Sequence, residues 1–324
     1  MSTIRDIKKP VEQELKIFEK QFNASFKSNI PLLNKVTKYL IRRKGKQMRP
    51  IFVMLSAQIT GTITNDTYIA ANMIELLHTA TLIHDDVVDD AHRRRGFLSI
   101  NALWKNKIAV LVGDFLLSKG LLLALENKAY DLLHIVSDAT REMSEGELLQ
   151  IEKARNLDIE EEVYFEIIKK KTASLIASCC AAGATSAGAD KEKIKLMHDI
   201  GQHVGVAFQI RDDLFDYQTN NLTGKPNGVD LKEKKLTLPI IYMLNNVDKK
   251  RKNSIIKTIR NHHDNRKKVN DIINLVNESG GIKYAEATMN SYVNKAVALL
   301  EQFEASDARH SLIKLIQYSI QRKR

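Results

Sequence analysis

Four carboxylates close an apolar run in this chain, Ile83-His84-Asp85-Asp86-Val87-Val88-Asp89-Asp90, and three arginines follow in Ala91-His92-Arg93-Arg94-Arg95-Gly96. At helical spacing Asp85 and Asp89 lie one turn apart with Asp86 beside them, so their charges repel by about 0.2–0.5 kcal/mol per pair unless a cation intervenes. Mg²⁺ suits such a place. It takes hard oxygen ligands, keeps several waters, and is usually held by one or two carboxylates together with substrate phosphates. Arg94 and Arg95 fit the phosphate oxygens, which guanidinium groups grip in bidentate fashion. A solvated acidic helix end with basic neighbours would use the same residues. A second copy argues for the site: Gln209-Ile210-Arg211-Asp212-Asp213-Leu214-Phe215-Asp216 repeats the carboxylate pair and adds a third nearly one turn on. Two such clusters facing each other across a cavity would hold a group of metal ions.

The elements that must position these residues are helical. Only five prolines occur, none between Pro50 and Pro226, so long helices can run uninterrupted there. The expectation is an all-α single domain over residues 1–324, with catalytic helices over about 45–245 and a helical packing region over about 246–324. Val11, Leu15, Phe18 and Phe22 form one stripe over 10–22, and a short helix over Leu32 to Arg42 leads into Gly45-Lys46-Gln47-Met48-Arg49-Pro50. Glycine lets that backbone pass close to a ligand, and the cations beside it would lie near a helix N-terminus that favours anions. A helix from about Asp66 to Asp90 carries the first cluster, with Ile69, Met73, Leu76, Leu77, Ala80, Ile83 and Val87 at helical spacings. Apolar helices follow over 106–126 and 129–154; Asp114 reads as structural support that needs a partner, and His84 as a packing residue. Residues 218–235 form a long polar loop of turn formers, including Asn220, Asn221, Gly224, Pro226, Asn227 and Gly228, in the manner of a functional lid. Beyond Thr237 lie shorter amphipathic helices broken at Gly280-Gly281, with no chemical motif.

A net charge of +11 admits nucleic acid, anionic membrane or phosphorylated substrates as partners. Clusters such as Lys249-Lys250-Arg251-Lys252 and Arg266-Lys267-Lys268 read as solvated faces, and at 6% aromatic residues there is little to stack on single strands, so nucleic acid is not expected. Cys179 and Cys180, adjacent in a small-residue helical run, read as buried thiols and point to a reducing cytoplasm. The N-terminus lacks a signal-peptide core, and no apolar segment is expected to reach the ~20 residues that span a bilayer.

Taken in order, the motifs resemble the all-trans polyprenyl diphosphate synthases, in the branch with octaprenyl and solanesyl diphosphate synthases. The resemblance runs from about Gly45 to the C-terminus through the Gly45–Pro50 motif, the first aspartate motif, Lys171-Thr172, the second aspartate motif, and Gly224-Lys225 through Lys235-Leu236-Thr237-Leu238-Pro239. It implies an isoprenoid synthase fold, a bundle of long helices around a deep cavity. It further implies that Lys46, Arg49, His78 and Arg95 bind isopentenyl diphosphate, and that Arg94, Lys171, Thr172, Gln209, Lys225 and Lys235 bind the allylic diphosphate. The catalytic set is then Asp85, Asp86, Asp89, Asp212, Asp213, Asp216 and Lys171, with Asp85, Asp89 and Asp212 as ligands to Mg²⁺, three ions with bound diphosphate. Asp230 would add a supporting carboxylate. Two positions depart from the family pattern, Lys44 and Lys234, where relatives commonly carry glycine.

The reaction so implied is prenyl transfer: ionisation of the allylic diphosphate, attack by the isopentenyl double bond, and loss of a proton to the departing diphosphate. The growing tail would descend along the helix that bears Asp85, where one turn rises ~5.4 Å, comparable with one isoprene unit. Leu77, Ala80 and Thr81 stand one and two turns below the aspartates, where short-chain relatives carry aromatic rings at the first turn. Small side chains there imply a long product, a quinone side-chain precursor, with Phe115, Leu122 or Leu123 as floor. Alternatives are a geranylgeranyl or farnesyl diphosphate synthase and a non-catalytic subunit of a heteromeric synthase. A terpene cyclase fits less well, because the second motif is an aspartate triplet. The resemblance also implies a homodimer, and the basic surface suggests peripheral contact with anionic lipid.

Overall fold

The computed structural model describes residues 3–42, 45–94, 96–157, 159–217 and 228–321, and those residues are overwhelmingly α-helical. In chain order the helices are α1 (Ile4–Lys8), α2 (Glu12–Ser25), α3 (Pro31–Ile41), α4 (Met48–Thr60), α5 (Asn65–Val88), α6 (Ile100–Glu126), α7 (Tyr130–Asn156), α8 (Glu161–Ile168), α9 (Ser174–Ser186), α10 (Lys191–Phe215), α11 (Val229–Lys232), α12 (Leu238–Asn245), α13 (Lys249–His262), α14 (Arg266–Glu278), α15 (Gly281–Leu300) and α16 (Asp307–Gln321). A two-stranded hairpin, β1 (Arg93–Arg94) with β2 (Phe97–Leu98), lies between α5 and α6. Packing gathers into two compact units. The first comprises Met1–Ser137, Ser178–His198 and Phe303–Leu312, the second Asp138–Ala177, Asp199–Gln302 and Ile313–Arg324.

In the first unit α5 is the central helix, with Ile69, Ala70, Ala71, Met73, Ile74, Leu76, Leu77, Ala80 and Ile83 all buried. A helix apolar on every side belongs in a core rather than on a surface. Thr64 caps its start, while the Thr64 hydroxyl donates to the Ser186 carbonyl at 2.9 Å and Thr67 and Ser186 share a hydroxyl hydrogen bond at 2.8 Å. α6 packs along α5, and Gly113 makes this possible at one point, because a Cβ there would collide with the His84 ring. His84 is thus the packing residue expected. Its Nε2 lies 3.3 Å from the Val110 carbonyl and 3.4 Å from Asp114, which is exposed rather than set among apolar neighbours.

The expectation that no segment is long and apolar enough to span a bilayer does not hold for α6. By length and composition alone it qualifies, since its best window tolerates Asp114 and Lys119, and 33% of that window is buried. Its apolar surface divides in two. Ala109, Val112, Leu116 and Ala124 are buried, whereas Val110, Leu111, Leu121, Leu122 and Leu125 are exposed.

The second unit depends on close helix approach. Gly201 and Gly205, one turn apart on α10, lie against the backbone of Ala177 and Ala173. A Cβ on Gly201 would sit 2.6 Å from Ala177 Cα, and one on Gly205 would collide with Ala173. Gly146 of α7 similarly faces Lys171, where a Cβ would come within 2.6 Å of the amide nitrogen. The break at Gly280-Gly281 is present: Gly280 adopts φ +83°, and Gly281 abuts the Pro239 backbone. In the first unit Cys179 and Cys180 are free and fully buried as expected, and burial pushes the Cys180 thiol up to about 12.

Gly205→Ala is expected to destabilise the protein by about 1–3 kcal/mol through overpacking, measured as a lower urea midpoint with an unchanged slope. A wild-type midpoint would show that α10 and the backbone at Ala173 can separate without penalty.

Candidate functional site

The first cluster is built where α5 ends. Asp85 and Asp86 occupy its last turn and Asp89 is its C-cap, so the carboxylates gather at the electronegative end of the helix dipole. Their environments differ. Asp85 and Asp89 are exposed, while Asp86 is only 4% exposed and accepts a hydrogen bond from Arg94 Nε at 2.8 Å. Burial raises the Asp86 pKa, and the Arg94 charge pulls against that rise. Arg94 is delivered by the β1–β2 hairpin, whose turn uses Gly96 at φ +80°. The hairpin is anchored at three points: Ser99 Oγ donates to the Ala91 carbonyl at 2.6 Å, Asn101 Nδ2 to the Asp86 carbonyl at 3.0 Å, and the Tyr39 hydroxyl to the Leu98 carbonyl at 2.6 Å.

A largely apolar cavity in the same unit brings Gly45, Glu75, His78, Asp86 and Arg94 to its wall, beside aromatic residues such as Phe22 and Phe26. His78 is buried, Lys46 is exposed, and Arg49 is half-buried in the first turn of α4. Gln47 between them takes φ +53°, a left-handed conformation that turns the chain sharply into the helix. Arg95 and Lys44 lie outside the described residues. Of the residues implicated in product length, Leu77 and Ala80 are buried and Thr81 is half-buried, its hydroxyl donating to the His78 carbonyl at 3.0 Å. Phe115 and Leu123 are half-buried, but Leu122 lies on the exposed face of α6.

The second cluster ends α10, again at the negative pole of a helix. Asp212 is half-buried, whereas Asp213 and Asp216 are 5% and 4% exposed. Both oxygens of Asp213 have donors: the Tyr164 hydroxyl at 2.7 Å on Oδ2 and Gln209 Nε2 at 2.8 Å on Oδ1. Burial lifts the Asp213 carboxyl to about 6 although these two hydrogen bonds favour the charged form. Asp216 accepts the backbone N–H groups of Val229 at 2.9 Å and Asp230 at 3.0 Å, so it caps α11 as the chain returns from the polar loop. Burial first, then Asp213 and Asp216, push the Asp230 carboxyl up to about 8.

Lys170, Lys171 and Lys235 of this unit each stand in an ion pair. α8 passes into a π-helical turn over Lys169–Ala173, a local widening often found at functional sites. That turn carries Lys171, whose Nζ pairs with Glu147 and donates to Gln150 Oε1 at 3.3 Å. Lys170 pairs with Glu145 at 3.2 Å, and the Thr172 hydroxyl donates to Gln209 Oε1 at 2.7 Å. Lys235 Nζ pairs with Glu233 at 2.6 Å; burial draws its pKa down, and the neighbouring acids outweigh that and raise it. Lys234 adopts φ +58°, which is the conformation glycine would take without strain. Lys225 and the loop formers Asn220, Asn221, Gly224, Pro226 and Asn227 lie outside the described residues.

Sequence reasoning missed Tyr164, Glu147 and Gln150. Glu147 and Gln150 stand one turn apart, and Tyr164 lies two turns before Lys171, so periodicity alone placed them near the motifs without assigning them a task. Among the described residues no group of three His, Cys, Asp or Glu side chains is close enough to enclose a metal. The donor set nevertheless suits Mg²⁺. It is all carboxylate, it stands at helix ends where negative charge is disfavoured, and Mg²⁺ is ordinarily completed by waters and substrate phosphates rather than by a protein cage.

A family model described as polyprenyl synthetase matches residues 30–276. Heptaprenyl diphosphate synthase component 2 of Bacillus subtilis (strain 168) is 33% identical over 97% of this chain and 89% of its own length. The crystal structure of a polyprenyl synthase from Caulobacter crescentus CB15, complexed with calcium and isoprenyl diphosphate, is 31% identical with a TM-score of 0.90, covering 99% of this chain and 98% of that one. That of geranylgeranyl pyrophosphate synthase from Bacteroides thetaiotaomicron is 37% identical with a TM-score of 0.84, over 98% and 99%.

The two kinds of aspartate are expected to separate in stability measurements. Asp213→Ala leaves a buried tyrosine hydroxyl and a glutamine amide without their acceptor and should lower stability by about 1–3 kcal/mol. Asp85→Ala, which removes a carboxylate from the unfavourable end of a helix dipole, should not lower stability and should raise it by up to about 1 kcal/mol. Equal losses in the two variants, read from urea unfolding, would contradict the distinction.

Proposed function

Because the chain belongs to the polyprenyl synthetase family and is a prenyltransferase, we propose that it condenses an allylic diphosphate with successive isopentenyl diphosphate units to build a long all-trans polyprenyl diphosphate, a quinone side-chain precursor. The observation that carries the reading is the sorting of the aspartates. Asp86, Asp213 and Asp216 are buried, whereas Asp85 and Asp89 are exposed and Asp212 is half-buried, so the last three are the ones an incoming cation can reach. Asp85, Asp89 and Asp212 are accordingly the proposed Mg²⁺ ligands. Bound there with substrate phosphates, the metal would supply Lewis-acid assistance to departure of the diphosphate.

The chain's own residues do the remaining work. Lys171, Thr172, Gln209, Arg94, Lys225 and Lys235 hold the allylic diphosphate and offer fixed donors to the charge that develops as the C–O bond breaks. Lys46, Arg49, His78 and Arg95 hold the diphosphate of isopentenyl diphosphate, orienting its double bond towards the allylic cation; of these, His78 lines a cavity beside Gly45, the residue that precedes Lys46. Lys171 and Lys235 exchange Glu147 and Glu233 for phosphate oxygens on substrate binding. The released diphosphate takes the proton, so no side chain need act as a strong base.

Leu77, Ala80 and Thr81 set the depth available to the product. Support for a long product comes from the small side chains at Ala80 and Thr81 and from the heptaprenyl relative; the geranylgeranyl relative keeps a shorter product as the second reading. A homodimer is the proposed assembly, and the exposed apolar face of α6 supports it: Val110, Leu111, Leu121, Leu122 and Leu125 are all exposed, and contiguous exposed apolar residues mark interaction surfaces.

With farnesyl diphosphate, labelled isopentenyl diphosphate and Mg²⁺, the wild type is expected to make chains longer than geranylgeranyl diphosphate, chelation to abolish synthesis, and Ala80→Phe to shorten the product. Wild-type arrest at geranylgeranyl diphosphate would overturn the length argument alone, and absence of any product would favour a non-catalytic subunit. Sedimentation is expected to give twice the chain mass for the wild type and a shift towards monomer for Leu122→Glu; a wild-type monomer would refute the assembly.

A further inference from the structure

Tyr164, on α8, is 3% exposed, and its ring packs edge-on against Phe165 with centroids 5.4 Å apart. Its hydroxyl begins a continuous hydrogen-bonded row. Tyr164 donates to Asp213 Oδ2 at 2.7 Å, Gln209 Nε2 donates to Asp213 Oδ1 at 2.8 Å, and the Thr172 hydroxyl donates to Gln209 Oε1 at 2.7 Å. Tyr164 and Thr172 come from one stretch of chain, α8 and the π-helical turn after it, whereas Gln209 and Asp213 lie one turn apart on α10. The row therefore ties the same two elements together at both ends, with the Gln209 amide in the middle.

The amide is the member with two possible orientations. A glutamine side chain has an acceptor oxygen and a two-hydrogen donor nitrogen that differ little in shape, so only partners decide which way it points. Here a carboxylate oxygen requires the nitrogen on its side, and the Thr172 hydroxyl complements the oxygen on the other. One amide hydrogen is committed to Asp213 and the second remains available as a donor. A diphosphate only accepts hydrogen bonds, so this orientation suits it and the flipped one, which would present oxygen, repels it.

Resting on the reading of Gln209 and Thr172 as allylic diphosphate ligands, we propose that Tyr164 is a positioning residue that acts through Asp213 to hold the Gln209 amide in its donating orientation. By occupying Oδ2 it fixes the carboxylate so that Oδ1 faces Gln209. Removing the phenolic oxygen frees the carboxylate to turn and the amide to flip, and the loss falls on the allylic substrate alone.

Tyr164→Phe keeps the packed ring and deletes one oxygen. The expected result is a rise of about tenfold in KM for farnesyl diphosphate with KM for isopentenyl diphosphate within about twofold of wild type. In a Gln209→Ala background Tyr164→Phe should add nothing further, because the group it orients is gone. The second variant, should Tyr164→Phe not fold, is Tyr164→His, which keeps a ring with a donor towards Asp213 and should leave KM for farnesyl diphosphate within about threefold of wild type. Equal changes in both KM values, or an undiminished effect in the Gln209→Ala background, would overturn the role of Tyr164 while leaving the function standing. A wild type without prenyl transfer would overturn both.

Discussion

Carboxylates set at the electronegative ends of helices are the constraint from which the rest of this molecule follows. Each such placement costs about 0.3–1 kcal/mol in dipole energy, and each like-charged neighbour one turn away adds about 0.2–0.5 kcal/mol. The chain accepts this twice, at the end of α5 and at the end of α10. In both places the charges are divided the same way. Some carboxylates turn inward and are matched with protein donors: Arg94 for Asp86, Tyr164 and Gln209 for Asp213, backbone N–H groups for Asp216. Asp85 and Asp89 remain exposed at the end of α5, and Asp212 is half-buried at the end of α10.

Much of the surrounding architecture exists to bring those donors into place. Arg94 reaches Asp86 because a short hairpin, turned at Gly96 and fastened through Ser99, Asn101 and Tyr39, folds back over the end of α5. Tyr164 and Thr172 reach α10 because Gly201 and Gly205 let α9 and α10 meet at backbone distance. Small residues thus serve the charged ones. A buried ionised group left without partners would cost several kcal/mol, and the close helix contacts are what keep that from happening.

The cations follow the same logic. Lys171 stands with Glu147 and Gln150, and Lys235 with Glu233, so each already lies in an ion pair. Ion pairs at half-exposed positions are weak, worth about 0–1 kcal/mol. A phosphate oxygen, with more charge and better geometry, can therefore take over these lysines at little cost.

The sequence by itself determined the helical class, the two aspartate motifs, the break at Gly280-Gly281 and the buried thiols. These are local properties: proline scarcity, 3.6-residue periodicity and carboxylate spacing leave direct marks on the chain. The resemblance added the family, through motifs in fixed order. Neither could rank the six aspartates, because Asp85 and Asp86 are adjacent and chemically identical until burial distinguishes them. Nor could either find Tyr164, Glu147 or Gln150, whose importance lies in what they touch across the fold, or anticipate that α6 would leave Val110, Leu111, Leu121, Leu122 and Leu125 exposed. Only the tertiary structure decided those matters, because a hydrogen bond between residues 49 positions apart depends on how helices pack, and packing is a property of the folded pair rather than of either segment.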